Sequence, residues 1–342
     1  MSTRVRQSNM ELLRIIAMAM IVMVHTDFWS LGELIADICA YEPSKAFIQY
    51  LVESIAIVGV NCFIFISGWF SIKPSVRGFA NLVFQLLFYS TLIYFAFVLL
   101  GLIRFDVRSF LQHSNFLTSF WFIRIYIALY FLSPIFNTFI EHATRDTARV
   151  VILLYAFLDV VLGWGMYCIG EDGGYGLFHL GLIYLIARYI RVHGGKLFSF
   201  SKLCDLSVYA LIAAITPVIV MLSFHLAPEM WFHLGKLFLY NSPFVIVASV
   251  YLSLFFTKLN FNSRVVNLVG ASSFAVLLIH GDPLIMEPYL KPLCRDLFFN
   301  NSIWYYSLIM IVSIVLLFIT ATLVDQVRQW MWKRIQLAFI KN

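Results

Sequence analysis

The sequence predicts an all-α polytopic integral membrane protein of about ten transmembrane helices, with both termini in the cytoplasm. Three observations carry this prediction. Of the 342 residues, 61% are hydrophobic and 12% are charged, whereas soluble domains contain about 25% charged residues. The mean hydropathy is +0.87. The apolar runs are each about 18 to 24 residues long, enough for a helix to cross roughly 30 Å of hydrocarbon.

Helices are expected because every backbone amide inside a bilayer must be satisfied within the protein, and alternating strand-like segments are absent. The predicted spans are 11–31, 46–71, 79–102, 119–140, 149–168, 175–191, 203–224, 237–257, 265–281 and 303–324. Residues 1–342 are expected to form one membrane domain without an appended soluble domain.

The distribution of Lys and Arg between the spans predicts the orientation, because cytoplasmic loops carry an excess of both. With the N-terminus inside, sixteen basic residues are cytoplasmic: Arg4, Arg6, Lys73, Arg77, Arg145, Arg149, Arg188, Arg191, Lys196, Lys202, Lys258, Arg264, Arg328, Lys333, Arg334 and Lys341. Six lie outside: Lys45, Arg104, Arg108, Lys236, Lys291 and Arg295. Because these charges lie between apolar runs and form no patch, the expected partner is the lipid bilayer and not nucleic acid.

No HExxH motif, carboxylate cluster or Cys/His set predicts a metal.

The first span holds a cation and an imidazole, Arg14 and His25. Eleven residues at 100° each place them about 20° apart on one helical face, separated by about 16 Å along the axis. This geometry suits a long anionic cofactor, with the guanidinium of Arg14 on a phosphate and the imidazole of His25 at the reactive end. A snorkelling Arg14 and a packed polar His25 are the alternative. Asp27 lies on another face and is not expected to orient His25.

The second span contains the polar candidates Asn61 and Ser67 and is followed by the basic candidates Lys73 and Arg77. An unpaired Asn61 amide would be costly in lipid, so a polar role is predicted for it. Lys73 and Arg77 are candidates to bind cofactor phosphates, and ordinary topology signals are the alternative. Gly59 is expected to allow close helix packing.

Three further candidates lie in later spans: Trp121, Arg124 and His280. Arg124 needs an anion in its apolar surroundings, and Glu53 or Asp159 could supply one within the protein. His280, near the outer boundary, is compatible with a second catalytic role or with interfacial packing. No role is predicted for His179, His225 or His233.

The combination of motifs resembles the membrane acyltransferase-3 family, the transmembrane O-acyltransferases of bacterial surface polysaccharides. The resemblance rests on Asn9-x-Glu11-Leu-Leu-Arg14-x10-His25, Gly59-Val60 running into Phe65-Ile-Ser67-Gly68, Trp121-Phe122 followed by Pro134, and Leu278-Ile279-His280. It implies a ten-helix domain in the bacterial inner membrane that takes acetyl from cytoplasmic acetyl-CoA. It also implies an acceptor hydroxyl on an outer glycan or lipid-linked sugar, an essential His25 and an active-site Arg14. Many relatives carry an Arg-x-x-Arg motif where this chain has Lys73 and Arg77.

The functional hypothesis is therefore an O-acetyltransferase in which His25 acts as general base or as transient acyl carrier. Asn61, Ser67 and Arg124 are candidates to stabilise the oxyanion. A transporter or flippase of a polysaccharide intermediate or small anion is the main alternative, because intramembrane charges also mark transport pathways. A sensor or scaffold that keeps the fold without the chemistry is a third.

Overall fold

The computed structural model describes residues 6–115, 117, 120–166 and 173–340, and within them the chain forms helices and no strand. The longer helices are α1 (Ser8–Thr26), α2 (Pro43–Ala56), α3 (Gly59–Phe70), α4 (Val76–Leu99), α5 (Trp121–His142), α6 (Arg145–Phe157), α7 (Leu177–His193), α8 (Lys202–Leu226), α9 (Pro243–Thr257), α10 (Arg264–His280), α11 (Lys291–Asn300) and α12 (Ile303–Ile340). Short α-helical segments are Phe28–Leu31, Ala36–Tyr41, Val107–His113, Pro228–Trp231 and Pro283–Ile285. Leu158–Gly165 and Met286–Leu290 are π-helical, and Lys196–Phe198 and Phe232–Phe238 are 3₁₀-helical. Arg4, Lys341, residue 119 and the last two residues of the predicted fifth span lie outside the described residues.

The described chain contains eight helical stretches long and apolar enough to cross a membrane. The number rises to nine if α10 and the segment Pro283–Asn300, which are bent by 52°, form one span. The all-α polytopic fold is confirmed. Each predicted span contains helix among the described residues, and the second contains two helices, α2 and α3. The number of ten spans stays a prediction. The sixth predicted span corresponds to α7, which is not among the eight. Its 17 residues give a length of about 26 Å, somewhat short of the roughly 30 Å of hydrocarbon. The cytoplasmic position of both termini stays a prediction.

Helix α1 lies at the centre of the bundle, where it packs against α3, α10 and α2. Its contact with α3 depends on Gly59, because a Cβ there would lie 2.7 Å from the carbonyl oxygen of Ala17. The predicted packing role of Gly59 is confirmed. Small side chains at such crossings let two backbones approach closely.

Polar side chains fix the beginning of α1 against α9 and the start of α10. The Asn9 amide donates to the carbonyl of Phe256 at 3.0 Å. The Ser8 hydroxyl donates to Asn267 Oδ1 at 2.9 Å and accepts from the backbone N–H of Ser263 at 2.9 Å. These bonds set where Arg14 and His25 lie relative to the neighbouring helices.

A buried ion pair joins α8 to the end of α9. The Lys258 ammonium donates to a carboxylate oxygen of Asp205 and, at 2.8 Å, to the carbonyl of Phe200. The Asp205 side chain is fully buried. By contrast, the ion pair between Arg149 and Asp146 on α6 is mostly exposed.

Candidate active site

Two histidines from opposite ends of the chain meet at the C-terminal end of α1, the end that the sequence predicts to be outer. Nδ1 of His25 lies 2.9 Å from Nε2 of His280, and Nδ1 of His280 lies 2.6 Å from the carbonyl oxygen of Val276. Because a carbonyl can only accept, Nδ1 of His280 carries a proton. With His280 neutral, its Nε2 accepts from Nδ1 of His25, and the lone pair of His25 is therefore on Nε2.

Hydrogen bonds to two backbone carbonyls fix the backbone around His25 where α1 ends. The Ser30 hydroxyl donates to the carbonyl of His25 at 2.5 Å. The Tyr306 hydroxyl donates to the next carbonyl, that of Thr26, at 2.7 Å. The last carbonyls of a helix have no partner within it, so these side chains satisfy them and hold the imidazole in place.

His25 lines a cavity of about 150 Å³, which we call the outer chamber. Its wall is largely aromatic. Trp121 packs against Tyr175 with ring centroids 4.7 Å apart, and Tyr175 packs against Tyr240 at 4.8 Å. The chamber also borders the exposed side chains of Trp29 and Glu287. The complete lining is Ile21, Val24, His25, Trp29, Val60, Phe120, Trp121, Phe122, Tyr175, Tyr240, Leu277, Gly281, Pro283, Met286 and Glu287.

Two further cavities continue along the same face of α1 toward its beginning. The middle cavity, of about 230 Å³, shares Phe122 with the outer chamber and is lined by Arg6, Arg14, Phe63, Ile66, Ser67, Leu82, Phe122, Tyr126, Gly270, Ala271 and Phe274. The inner cavity, of about 580 Å³, shares Arg6 and Arg14 with the middle one. Arg14 and His25 therefore border one series of three adjoining cavities, as their spacing on α1 predicts.

Arg14 is held by an acidic neighbour one turn earlier. Oε2 of Glu11 accepts from Nη1 of Arg14 at 2.6 Å, while Oε1 accepts from Nη1 of Arg6 at 3.2 Å. The Glu11 side chain is buried and lies against Gly270 of α10. Glu11 thus fixes the guanidinium of Arg14 at the junction of the middle and inner cavities.

The inner cavity carries a surplus of three positive charges. Its lining includes five cationic side chains and two carboxylates, and its residues are Arg6, Gln7, Glu11, Arg14, Trp69, Phe70, Ser71, Lys73, Glu141, Arg188 and Arg191. Arg188 pairs with Glu141 at 2.9 Å, and the guanidinium of Arg191 lies 4.7 Å from the ring centre of Trp69. This cavity can accept a polyanionic group.

Asn61 belongs to a buried polar network that the sequence did not predict. Its amide nitrogen donates to the carbonyl of Tyr240 at 3.0 Å, so its oxygen faces Nε2 of His179, also at 3.0 Å. Nδ1 of His179 lies 2.7 Å from a carboxylate oxygen of Asp159. The network braces the chamber wall at Tyr240. The sequence signal that could have revealed this network is an ionisable residue in each of two consecutive predicted spans, Asp159 and His179.

The remaining predicted residues are divided between the cavities and the surface. Ser67 lines the middle cavity, and its hydroxyl donates to the carbonyl of Phe63. Lys73 lines the inner cavity, whereas Arg77 is exposed, bonds Gln336 at 2.5 Å and lines none of the three cavities.

Arg124 is also exposed and lines none of the three cavities. The suggested ion pair with Asp159 is wrong, because Asp159 bonds His179. Among the described residues, Glu53 forms no ion pair with Arg124 either.

The fold and this series of cavities define a multi-pass membrane protein with an enzyme-like interior site. The sequence model of the acyltransferase-3 family, described as an acyltransferase domain, matches residues 7–322. The chain therefore belongs to that family and is a membrane acyltransferase. No curated protein and no solved structure matches the chain.

Proposed function

We propose that this acyltransferase transfers acetyl from cytoplasmic acetyl-CoA to a hydroxyl of a cell-surface glycan or lipid-linked sugar, in the bacterial inner membrane. The observation that carries the proposal is the series of three cavities, cationic at one end and bordered by the His25 imidazole at the other. Acetyl-CoA has a matching polarity, with phosphates at one end and a thioester at the other.

The donor would bind with its phosphates in the inner cavity, near Arg14 and Lys73. Arginine binds phosphate through two parallel N–H groups, and lysine acts as a point charge. The pantetheine arm would then follow the middle cavity past Ser67 toward His25. The distance between Arg14 and His25 along α1 is about 16 Å, given the rise of an α-helix.

Two mechanisms are compatible with the free lone pair on Nε2 of His25. As a general base, Nε2 takes the proton of the acceptor hydroxyl while the oxygen of that hydroxyl attacks the thioester carbon. The carbon–sulfur bond breaks, and the proton passes from Nε2 to the thiolate. As a nucleophile, Nε2 attacks the thioester carbon and the carbon–sulfur bond breaks, which leaves an acetyl-imidazolium and a thiolate that takes a proton from water. The oxygen of the acceptor hydroxyl then attacks the acetyl carbon, the carbon–nitrogen bond to Nε2 breaks, and the proton of the hydroxyl passes through Nε2 to water.

The role we assign to His280 is positioning. Its Nε2 accepts from Nδ1 of His25, which directs the lone pair of His25 away from His280. When Nε2 of His25 gains a proton or an acetyl group, the bond to His280 helps to stabilise the positive charge on the ring.

The decisive experiment uses purified protein in detergent or liposomes with acetyl-labelled coenzyme A and a crude glycan or glycolipid fraction from a bacterial envelope. The expected result is release of free coenzyme A thiol together with transfer of label to the glycan. His25→Ala should abolish both. Transport of an anion or polysaccharide intermediate that survives His25→Ala, with no thioester cleaved by the wild type, would instead support the transporter alternative.

The two catalytic routes are separated by omitting the acceptor. A covalent route predicts one equivalent of thiol released in a single rapid turnover, with the acetyl group retained on His25. Mass spectrometry of the quenched protein would detect that adduct. A general-base route predicts no release above slow hydrolysis.

A further inference from the structure

One aromatic ring lies where the outer chamber meets the middle cavity. Phe122 lines both spaces and is 6% exposed. It is the second residue of α5, so its backbone belongs to the first turn of that helix. Any group that moves between Arg14 and His25 along these cavities must pass this ring.

The ring is held by aromatic neighbours from both sides of the junction. It stacks on Tyr126 with centroids 5.8 Å apart and meets Phe63 edge-on at 6.0 Å, and both residues line the middle cavity. Trp121, which lines the outer chamber, meets it edge-on at 5.8 Å. Such contacts fix the orientation of an aromatic side chain.

Helices α3 and α10 each line both the outer chamber and the middle cavity, but each uses a different residue for each cavity. Helix α3 contributes Val60 to the outer chamber and Phe63 to the middle cavity. Helix α10 contributes Leu277 to the outer chamber and Phe274 to the middle cavity. Phe122 is the residue common to both linings, so its ring is the partition between them.

We infer that Phe122 limits the length of the acyl group that the enzyme transfers. The inference rests on the proposed function, because it assumes that the thioester carbon meets Nε2 of His25. The acyl tail and the acceptor hydroxyl must then share the outer chamber of about 150 Å³. With the ring in place, the pantetheine arm fills the passage beside it, and a longer tail cannot fold back into the middle cavity. Removal of the ring joins the two spaces and gives the tail somewhere to lie.

The test compares acetyl-, butyryl- and hexanoyl-CoA as donors for the wild type and for Phe122→Ala. A change of one methylene in an apolar pocket alters kcat/KM by about tenfold or more. Phe122→Ala should therefore raise the hexanoyl-to-acetyl ratio of kcat/KM by at least roughly tenfold. Phe274→Ala removes a ring of the same size from the middle cavity alone and should leave the ratio within about twofold, since it adds no room at the partition.

A larger ring at position 122 should change donor preference in the opposite direction. This substitution also provides an independent check if the alanine variant does not fold. Phe122→Trp should lower the butyryl-to-acetyl ratio, because it narrows the passage and the chamber. An unchanged ratio in a folded Phe122→Ala or Phe122→Trp variant would overturn the inference while leaving the proposed function intact. If the wild type cleaves none of the three thioesters, the proposed function itself fails.

Discussion

A methyl group placed on Gly270 would lie 2.6 Å from Oε2 of Glu11. The absence of a side chain at Gly270 thus gives the Glu11 carboxylate the space from which it bonds Arg14. A glycine on α10 therefore controls the position of a cation on α1.

Gly270→Ala should displace the Glu11 carboxylate and, with it, the guanidinium of Arg14. Loss of one well-placed charge-assisted hydrogen bond corresponds to about 1.5–3 kcal/mol, so KM for the acyl-CoA donor should rise by roughly tenfold or more. The kcat at saturating donor should change much less. Gly165→Ala is the control, since its Cβ would lie 3.5 Å from the carbonyl oxygen of Val160, an ordinary contact distance. A normal donor KM in Gly270→Ala would contradict this account of Arg14.

His280→Ala should lower kcat because Nδ1 of His25 loses its acceptor and the ring is no longer fixed with Nε2 as the free base. We expect a loss of roughly 10²-fold, within the range for general acid–base groups. His280→Gln keeps an acceptor oxygen and should lose less. The control is His193→Ala, which removes a histidine bonded to the carbonyl of Ile140 outside the site. Equal kcat losses in the Ala and Gln variants would contradict the positioning role.

Donor binding should depend on salt because the inner cavity attracts a polyanion. Lys73→Ala should raise donor KM and weaken its dependence on ionic strength, with a loss on the order of 1 kcal/mol for a partly exposed charge. Arg77→Ala, four residues further along and outside the three cavities, should leave both quantities unchanged. The measurement is donor KM between low and high salt for the two variants and the wild type. Identical behaviour of the two variants would mean that the phosphates bind elsewhere.

The buried ion pair between α8 and α9 gives a prediction about stability. Lys258→Met leaves the Asp205 carboxylate buried without its cation, which should cost about 3–5 kcal/mol. Breaking the exposed pair on α6 by Arg149→Ala should cost about 0–1 kcal/mol. Thermal unfolding of both variants in the same detergent compares them. Similar midpoints for the two would show that Asp205 is solvated or neutral.

The sequence predicted features that depend on one helix and missed those that depend on tertiary packing. The alignment of Arg14 with His25 follows from helix geometry alone, and the structure has both residues bordering the cavities. The bond between His25 and His280 joins residues 255 positions apart, and no local pattern reveals it. Asn61 was noticed because it is polar in an apolar run. Its partner His179, and the Asp159 carboxylate that His179 bonds in turn, come from two other elements. Arg124 lies outside the linings of the three cavities because of the face of α5 that it occupies, and hydropathy does not tell which face of a helix packs inward.

The hydrogen bonds that direct the His25 imidazole end at a main-chain carbonyl, that of Val276, and not at a carboxylate. A histidine oriented by an aspartate brings a full negative charge with it, and desolvating that charge within a membrane is expensive. Two neutral rings and a peptide group avoid this cost. In the resting protein the pair of His25 and His280 can thus remain uncharged, and under the proposed mechanism a net charge need arise there only during turnover.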